Sequence, residues 1–168
     1  MVSITNLQDF EKIYKETKYL DSLFAKKYDI TSPEIIQKYN LELLVEFGEL
    51  ANETRCFKFW SSKEASDKQI ILEEYIDCLF MILYFCNIMH VSLSESFPKT
   101  DELNIVETFL ELYNLGTEFS KSLKKEIIKK LFIQTLYLSK LLNFTFEDLY
   151  EATKRKSLII QERLKSNY

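Results

Sequence analysis

Glycine and proline are scarce in this 168-residue chain, which contains only two of each. Sheet proteins with many tight turns need more of both, because glycine supplies positive φ angles and proline presets turn conformations. Hydrophobic residues make up 46% of the chain and aromatic residues 14%, enough to build a core and too much for a disordered protein. The composition therefore predicts an all-α protein with long helices, folded as one domain over residues 1–168.

Cysteine, histidine and concentrated positive charge are also scarce. The three cysteines are odd in number and lack CxxC spacing, so we expect a reduced, cytoplasmic protein without disulfides or a zinc site. The net charge of −4 argues against nucleic acid as a partner. The chain has no glycine-rich phosphate loop, and its single histidine, His90, follows an apolar helix. These absences argue against P-loop, Rossmann and Ser-His-Asp chemistry.

Long hydrophobic runs are missing as well. The most apolar stretch covers residues 75–89 and contains Asp77. It is shorter than the roughly 20 residues that a membrane-spanning helix needs. The first residues have neither a basic start nor an apolar signal core, so we expect no membrane partner.

Apolar residues recur at helical spacing in six segments, which predicts a bundle of about six helices. Thr31 and Glu34 have capping-box spacing at the start of the second helix, where Pro33 suits the first turn. Gly116 is well placed to end the fourth helix. The predicted helices are about Thr5–Lys27, Thr31–Cys56, Asp67–Met89, Asp101–Leu115, Ser120–Leu142 and Thr145–Lys165, with a loop at Phe57–Ser66 and the longest connection at His90–Thr100.

Four glutamates follow one face of the second helix. They lie at i, i+4, i+7 and i+11, as Glu42, Glu46, Glu49 and Glu53. Like charges one turn apart destabilise a helix by roughly a few tenths of a kcal/mol per pair, and the stripe alone is typical of a solvated acidic face. Gly48, between two of these glutamates, costs roughly 1 kcal/mol against alanine. Close approach of a ligand and tight helix packing explain this glycine equally well.

The third helix carries a second acidic pair, Glu74 and Asp77, three residues apart on one face. Asp77 is the only charged residue in the apolar stretch 75–89. A carboxylate in such surroundings costs several kcal/mol unless a cation or hydrogen-bond donors compensate it, although it could also be protonated. No lysine or arginine lies on that part of the helix.

Two helices joined by a short loop are commonly antiparallel neighbours, so Glu46 and Glu49 would face Glu74 and Asp77. Oxygen ligands without histidine or thiolate favour Mg²⁺, with Mn²⁺ as a possible substitute. Mg²⁺ usually retains waters or binds substrate phosphates, so the pattern predicts cleavage of a phosphate ester or a pyrophosphate.

The central part of the chain resembles the dimeric all-α dUTPases of bacteria and their phages, within the MazG-like all-α NTP pyrophosphatase superfamily. The resemblance is carried by LLVEFGELANETRCFKFWS at Leu43–Ser61 and ILEEYIDCLFMIL at Ile71–Leu83. ELYNLG at Glu111–Gly116 and the segment from about Leu141 to Tyr168 resemble the family's later parts. The family implies a homodimer that hydrolyses dUTP, and also dUDP, to dUMP with Mg²⁺, which keeps uracil out of DNA.

The resemblance also implies roles for individual residues. Two or more Mg²⁺ ions around the triphosphate would be coordinated by Glu46, Glu49, Glu74 and Asp77. Glu46 or Glu49 would in addition position or deprotonate the water that attacks the α-phosphorus.

Four further residues would bind the nucleotide by resemblance: Lys58, Trp60, Lys156 and Arg163. Trp60 is the only tryptophan, and a stacking role and a hydrophobic plug over the helix ends are both open. Lys156 and Arg163 are seven residues apart on one helical face, and without the resemblance they would be read as surface charges.

The chain departs from the family pattern at four positions. Thr17 stands in place of a glutamine associated with the uracil pocket, and Phe80 in place of a histidine. Ser157 and Ile160 stand in place of asparagines. Metal chemistry survives these changes, whereas the selection of base and sugar stays open. Two alternatives remain: a related pyrophosphatase for another or non-standard NTP, and a non-catalytic homologue that kept the fold.

Overall fold

The computed structural model describes residues 10–93, 98, 99 and 102–166, and in these ranges it contains α-helices and no strand. The predicted all-α bundle is confirmed. Its helices are α1 (Phe10–Phe24), α2 (Pro33–Thr54), α3 (Lys68–Ile88), α4 (Ile105–Ser122), α5 (Lys125–Leu141) and α6 (Phe146–Lys165). The predicted start at Thr5, the predicted start at Asp101 and residues 94–97 and 100 of the predicted connection lie outside the described residues.

The start of α2 differs from the prediction by one residue. Ser32, and not Thr31, is the N-cap, and its side chain accepts a backbone N–H in the first turn. Pro33 occupies the first turn as expected, and a proline disfavours helical geometry in the residue before it, so Ser32 is extended. The Thr31 hydroxyl instead donates to Asp29, 2.9 Å away. The predicted capping box of Thr31 with Glu34 is therefore wrong.

The prediction that Gly116 ends the fourth helix is also wrong. Helix α4 continues through Gly116 to Ser122, and α5 begins only at Lys125, not near Ser120. A Cβ atom at position 116 would lie 2.9 Å from the side chain of Leu44 on α2. The glycine thus allows close packing of α2 against α4, and the helix ends at Leu123, whose φ of 47° is left-handed.

Helices α2 and α3 are antiparallel neighbours, as the short connection predicts. At one end the backbone N–H of Ser66, just before α3, donates to the carbonyl of Glu53 near the end of α2. At the other end the rings of Tyr39 and Tyr84 lie 4.3 Å apart in an edge-on arrangement. The acidic residues in the middle of both helices therefore face each other.

Helix α3 lies at the centre of the bundle, in contact with α1, α2, α5 and α6. Its residues 81–86 are all buried, in agreement with the apolar second half of its sequence. Tyr75 is fully buried, and its hydroxyl donates to the Thr135 carbonyl of α5, 2.9 Å away. Because α6 packs on both α1 and α3, its inner face closes one side of the space beside the acidic helices.

Candidate metal centre and adjoining pocket

The carboxylates of α2 and α3 meet in one place. Glu46, Glu74 and Asp77 each offer an oxygen atom within 4.8 Å of those of the other two. Glu49 and Glu42 line the same cavity, which has a volume of about 470 Å³. This volume lies within the range typical of small-molecule sites, roughly 300–1,000 Å³.

The last member of the glutamate stripe is used differently. The Glu53 carboxylate accepts a hydrogen bond from the Ser66 hydroxyl and holds the connection between α2 and α3. Only the first three glutamates of the stripe line the acidic cavity in the described part of the chain.

Four carboxyl groups of the acidic cavity have raised pKa values: Glu42, Glu46, Glu74 and Asp77. Burial, followed by the charges of Asp77 and Glu49, raises the pKa of Glu46 to about 7. Burial is also the largest cause of the raised pKa values of Glu74 and Asp77. Each charge in this cavity disfavours the ionisation of the others, so a further cation would stabilise the ionised carboxylates.

Two cationic residues of α6 reach the same cavity. The Lys156 ammonium donates to the Asp77 carboxylate over 2.5 Å, and Arg163 also lines the cavity. Both cations lower the pKa of Asp77, but burial outweighs them, so that the net direction is upward. The predicted common face of Lys156 and Arg163 is thus turned toward the acids.

Lys58 and Trp60, in contrast, do not line the acidic cavity. The Lys58 ammonium contacts the side-chain oxygen of Asn52, and Trp60 is 66% exposed with its ring against Phe57 and Phe59. Arg55 ends α2 in a left-handed conformation with φ of 55° and turns the chain into this loop. A nucleotide-binding role for Lys58 and Trp60 stays a prediction, and one copy of the chain does not place them at the acids.

A second pocket, not predicted from the sequence, adjoins the acidic cavity. The two share Phe24, Glu42, Glu46, Asp77 and Ile160. The walls of the second pocket are mostly apolar and come from α1, α2, α3 and α6. It is completed by Thr17, Leu20, Asp21, Tyr39, Phe80, Met81 and Tyr84.

Three of the four positions where the chain departs from the family pattern line this adjoining pocket: Thr17, Phe80 and Ile160. The fourth, Ser157, is buried, and its hydroxyl donates to Glu16 of α1. The departures are therefore concentrated around one concave surface.

Asp21, a half-buried carboxylate of the adjoining pocket, was not predicted from the sequence either. Burial raises its pKa to about 6, and a hydrogen bond from the Asn87 amide, 2.7 Å away, opposes that rise. The available signal was the spacing of Thr17 and Asp21, four residues apart and therefore on one face of α1.

An α-helical bundle that gathers carboxylates and cations in one cavity, beside a mostly apolar pocket, is typical of proteins that bind a phosphorylated small molecule with a divalent metal. A family model described as dUTPase matches residues 9–168. The chain belongs to this all-α dUTPase family and is a nucleotide pyrophosphohydrolase that acts on dUTP.

No curated protein matches the sequence significantly. Among the helices of the described residues, none combines the length and hydropathy needed to cross a membrane.

Proposed function

We propose that the acidic cavity hydrolyses dUTP, and also dUDP, to dUMP with Mg²⁺ held by Glu46, Glu49, Glu74 and Asp77. The observation that carries this proposal is the convergence of acids from two antiparallel helices beside Lys156 and Arg163, in a chain of the dUTPase family.

The donor set supports Mg²⁺, with Mn²⁺ as a substitute. The described lining of the cavity offers carboxylate oxygens and neither histidine nor cysteine. The raised pKa values of Glu46, Glu74 and Asp77 support a cation there, because a divalent ion would compensate their mutual repulsion. When bound, Mg²⁺ neutralises phosphate charge and acts as a Lewis acid.

The chain's own residues would then act on water and substrate. Glu46 or Glu49 orients the attacking water and accepts its proton as the oxygen bonds to the α-phosphorus. The bond from the α-phosphorus to the bridging oxygen breaks, and pyrophosphate leaves. Lys156 and Arg163 bind phosphate oxygens, for which an arginine fork and a lysine point charge are both suited.

We also propose that the protein is a cytoplasmic homodimer of one domain spanning residues 1–168, without nucleic acid or membrane partners. Phe59, 94% exposed, and Trp60 form an apolar loop surface that a second copy would bury. Leu41 and Val45 on α2 are further exposed apolar residues that a second copy could cover. In such a dimer Lys58 and Trp60 would act on the partner's nucleotide.

A nucleotide panel with pyrophosphate detection, in Mg²⁺ and in Mn²⁺, tests the proposed substrate. We expect the highest kcat/KM with dUTP. Faster turnover of another nucleotide would support the related pyrophosphatase instead, and no release from any nucleotide would support the non-catalytic homologue.

The proposed dimer is tested by measuring the solution mass of the wild type and of Trp60→Ala. We expect Trp60→Ala to dissociate more readily than the wild type.

A further inference from the structure

The adjoining pocket is the place where a nucleoside would lie if the proposed function is correct. Glu46 and Asp77 would hold the triphosphate through the metal, and the same two residues border the adjoining pocket. Apolar side chains such as Phe24, Met81 and Ile160 suit the faces of a sugar and a base. The selection of the base then depends on the few polar groups in these walls.

Two of those polar groups already donate their protons to the protein. The Thr17 hydroxyl donates to the Tyr14 carbonyl, 3.0 Å away. The Tyr84 hydroxyl donates to the Ile30 carbonyl. Beyond the acids shared with the metal centre, Asp21 and Tyr39 remain among the described lining residues as groups that can read a base edge.

Asp21 is held in a defined orientation. Its Oδ2 atom accepts the Asn87 amide N–H over 2.7 Å, while in the described part of the chain Oδ1 accepts no hydrogen bond. The carboxylate also lies close enough to Tyr39 to contribute, after burial and Glu42, to the raised pKa of that phenol. A half-buried carboxylate with an open oxygen favours a ligand that brings a hydrogen-bond donor.

We propose that Asp21 is a specificity-determining residue, whose carboxylate accepts a hydrogen bond from the ring N3–H of a pyrimidine base. Uracil has this donor, whereas the N3 atom of cytosine is an acceptor and would face the carboxylate with a lone pair. Asp21 thus selects dUTP over dCTP. This role rests on the proposed function of the acidic cavity. The residue does not distinguish uracil from thymine, since both carry N3–H.

An Asp21→Asn substitution tests whether the pocket needs a hydrogen-bond acceptor at this position, because the Asn87 amide N–H fixes the orientation of the new side chain. The new amide would turn its oxygen toward the Asn87 N–H and its own NH₂ group toward the base. A donor then replaces an acceptor in the pocket, which disfavours uracil and favours the N3 acceptor of cytosine. The same substitution removes a partly desolvated charge, so the protein should remain folded.

The experiment compares kcat/KM for dUTP and dCTP in the wild type, Asp21→Asn, Asp21→Ala and the control Glu34→Gln. Glu34 is an exposed residue in an ion pair with Lys38, away from the pocket. We expect Asp21→Asn to lower the dUTP to dCTP ratio by roughly 5- to 150-fold, the range for one mispaired buried group. Asp21→Ala should lower the ratio less, and Glu34→Gln should leave it unchanged.

A wild-type ratio in Asp21→Asn would overturn the proposal. A binding measurement separates this result from a failure of the proposed function: calorimetric titration of dUMP and dCMP without metal needs no turnover. If the wild type hydrolyses nothing, a preference for dUMP that reverses in Asp21→Asn still supports the role of Asp21. Equal binding of the two monophosphates by the wild type would contradict it.

Discussion

At the scale of single residues, burial is the largest influence on the pKa values of several carboxyl groups in the two pockets. Glu46 borders both pockets and Asp21 lines only the adjoining one, and burial is the largest cause of the raised pKa in both residues. Asp77 carries the same penalty although Lys156 and Arg163 oppose it. Each of these groups is therefore more costly to keep ionised in the folded protein than in the unfolded chain.

Asp21 yields a prediction about pH and stability. Its pKa is about 6 in the folded protein against 3.8 as the ordinary value. The folded state binds the proton of Asp21 more tightly than the unfolded chain does. Protonation of Asp21 therefore favours the folded state below about pH 4, and this contribution to the free energy of unfolding is lost as the pH rises through 6. Asp21→Asn should therefore raise the free energy of unfolding by roughly 1–3 kcal/mol at pH 7 and much less at pH 4.

Urea denaturation at both pH values measures this difference. Asn87, Tyr39 and Tyr84, which interact with Asp21, are retained in the variant. Glu42, which lines the same pocket and also has a raised pKa, is retained as well. Glu73→Gln serves as the control, because Glu73 is exposed and lines neither pocket. A stability gain that is the same at pH 4 and pH 7 would contradict the pKa assignment of Asp21.

At the scale of helices, α2 and α4 pack closely because glycine occupies two positions in their interface. A Cβ atom at Gly116 would lie 2.9 Å from the partly buried Leu44 side chain and 3.4 Å from the fully buried Phe47 ring. We expect Gly116→Ala to destabilise the protein by about 1–3 kcal/mol, as overpacking does, despite the better helix propensity of alanine.

Gly48 provides the comparison for this prediction. A Cβ atom there meets only the Tyr113 hydroxyl, at 2.9 Å, the far end of a side chain that is only partly buried. Gly48→Ala should therefore cost less than Gly116→Ala in urea denaturation. Equal stability of the Gly116→Ala variant and the wild type would show that the α2–α4 interface is looser than described.

The ion pair of Lys156 with Asp77 connects α6 to α3 across the acidic cavity. Its side chains are 24% and 21% exposed, so solvent screens the pair only in part. In chelator, Lys156→Met should destabilise the protein because Asp77 loses its cation, and adding Asp77→Asn should recover much of the loss. We expect a coupling energy of roughly 0.5–3 kcal/mol from this double-mutant cycle.

Mg²⁺ extends the same experiment. If the ion binds the assembled acidic cavity, millimolar Mg²⁺ raises the melting temperature of the wild type, because ligands of the folded state stabilise it. The rise should be larger in Lys156→Met, where the ion also replaces the missing ammonium. The account of a cation at Asp77 would be contradicted if the effects of Lys156→Met and Asp77→Asn on stability were additive and Mg²⁺ left the melting temperature unchanged.

At the scale of the whole molecule, local patterns predicted the helices and the meeting of the two acidic pairs. Asp77 stands out as the single charge in an apolar run, and antiparallel neighbours bring it opposite Glu46. Features that depend on distant residues were missed: Gly116 packs against Leu44 of another helix, and Asp21 joins its pocket only when α1 meets α2 and α3. Lys58 and Trp60 lie in the loop after the left-handed Arg55 and do not line the acidic cavity.

The most direct test of the central claim, a magnesium-loaded acidic cavity that cleaves dUTP, is pyrophosphate release by the wild type, Glu49→Gln and Glu73→Gln. Glu73 is an exposed neighbour of Glu74, hydrogen-bonded to Gln69 outside the cavity, and so provides a matched charge change. We predict Mg²⁺-dependent release by the wild type and Glu73→Gln, and loss of turnover in Glu49→Gln with its helical circular dichroism intact. Full activity of Glu49→Gln, or wild-type activity in excess chelator, would contradict the account.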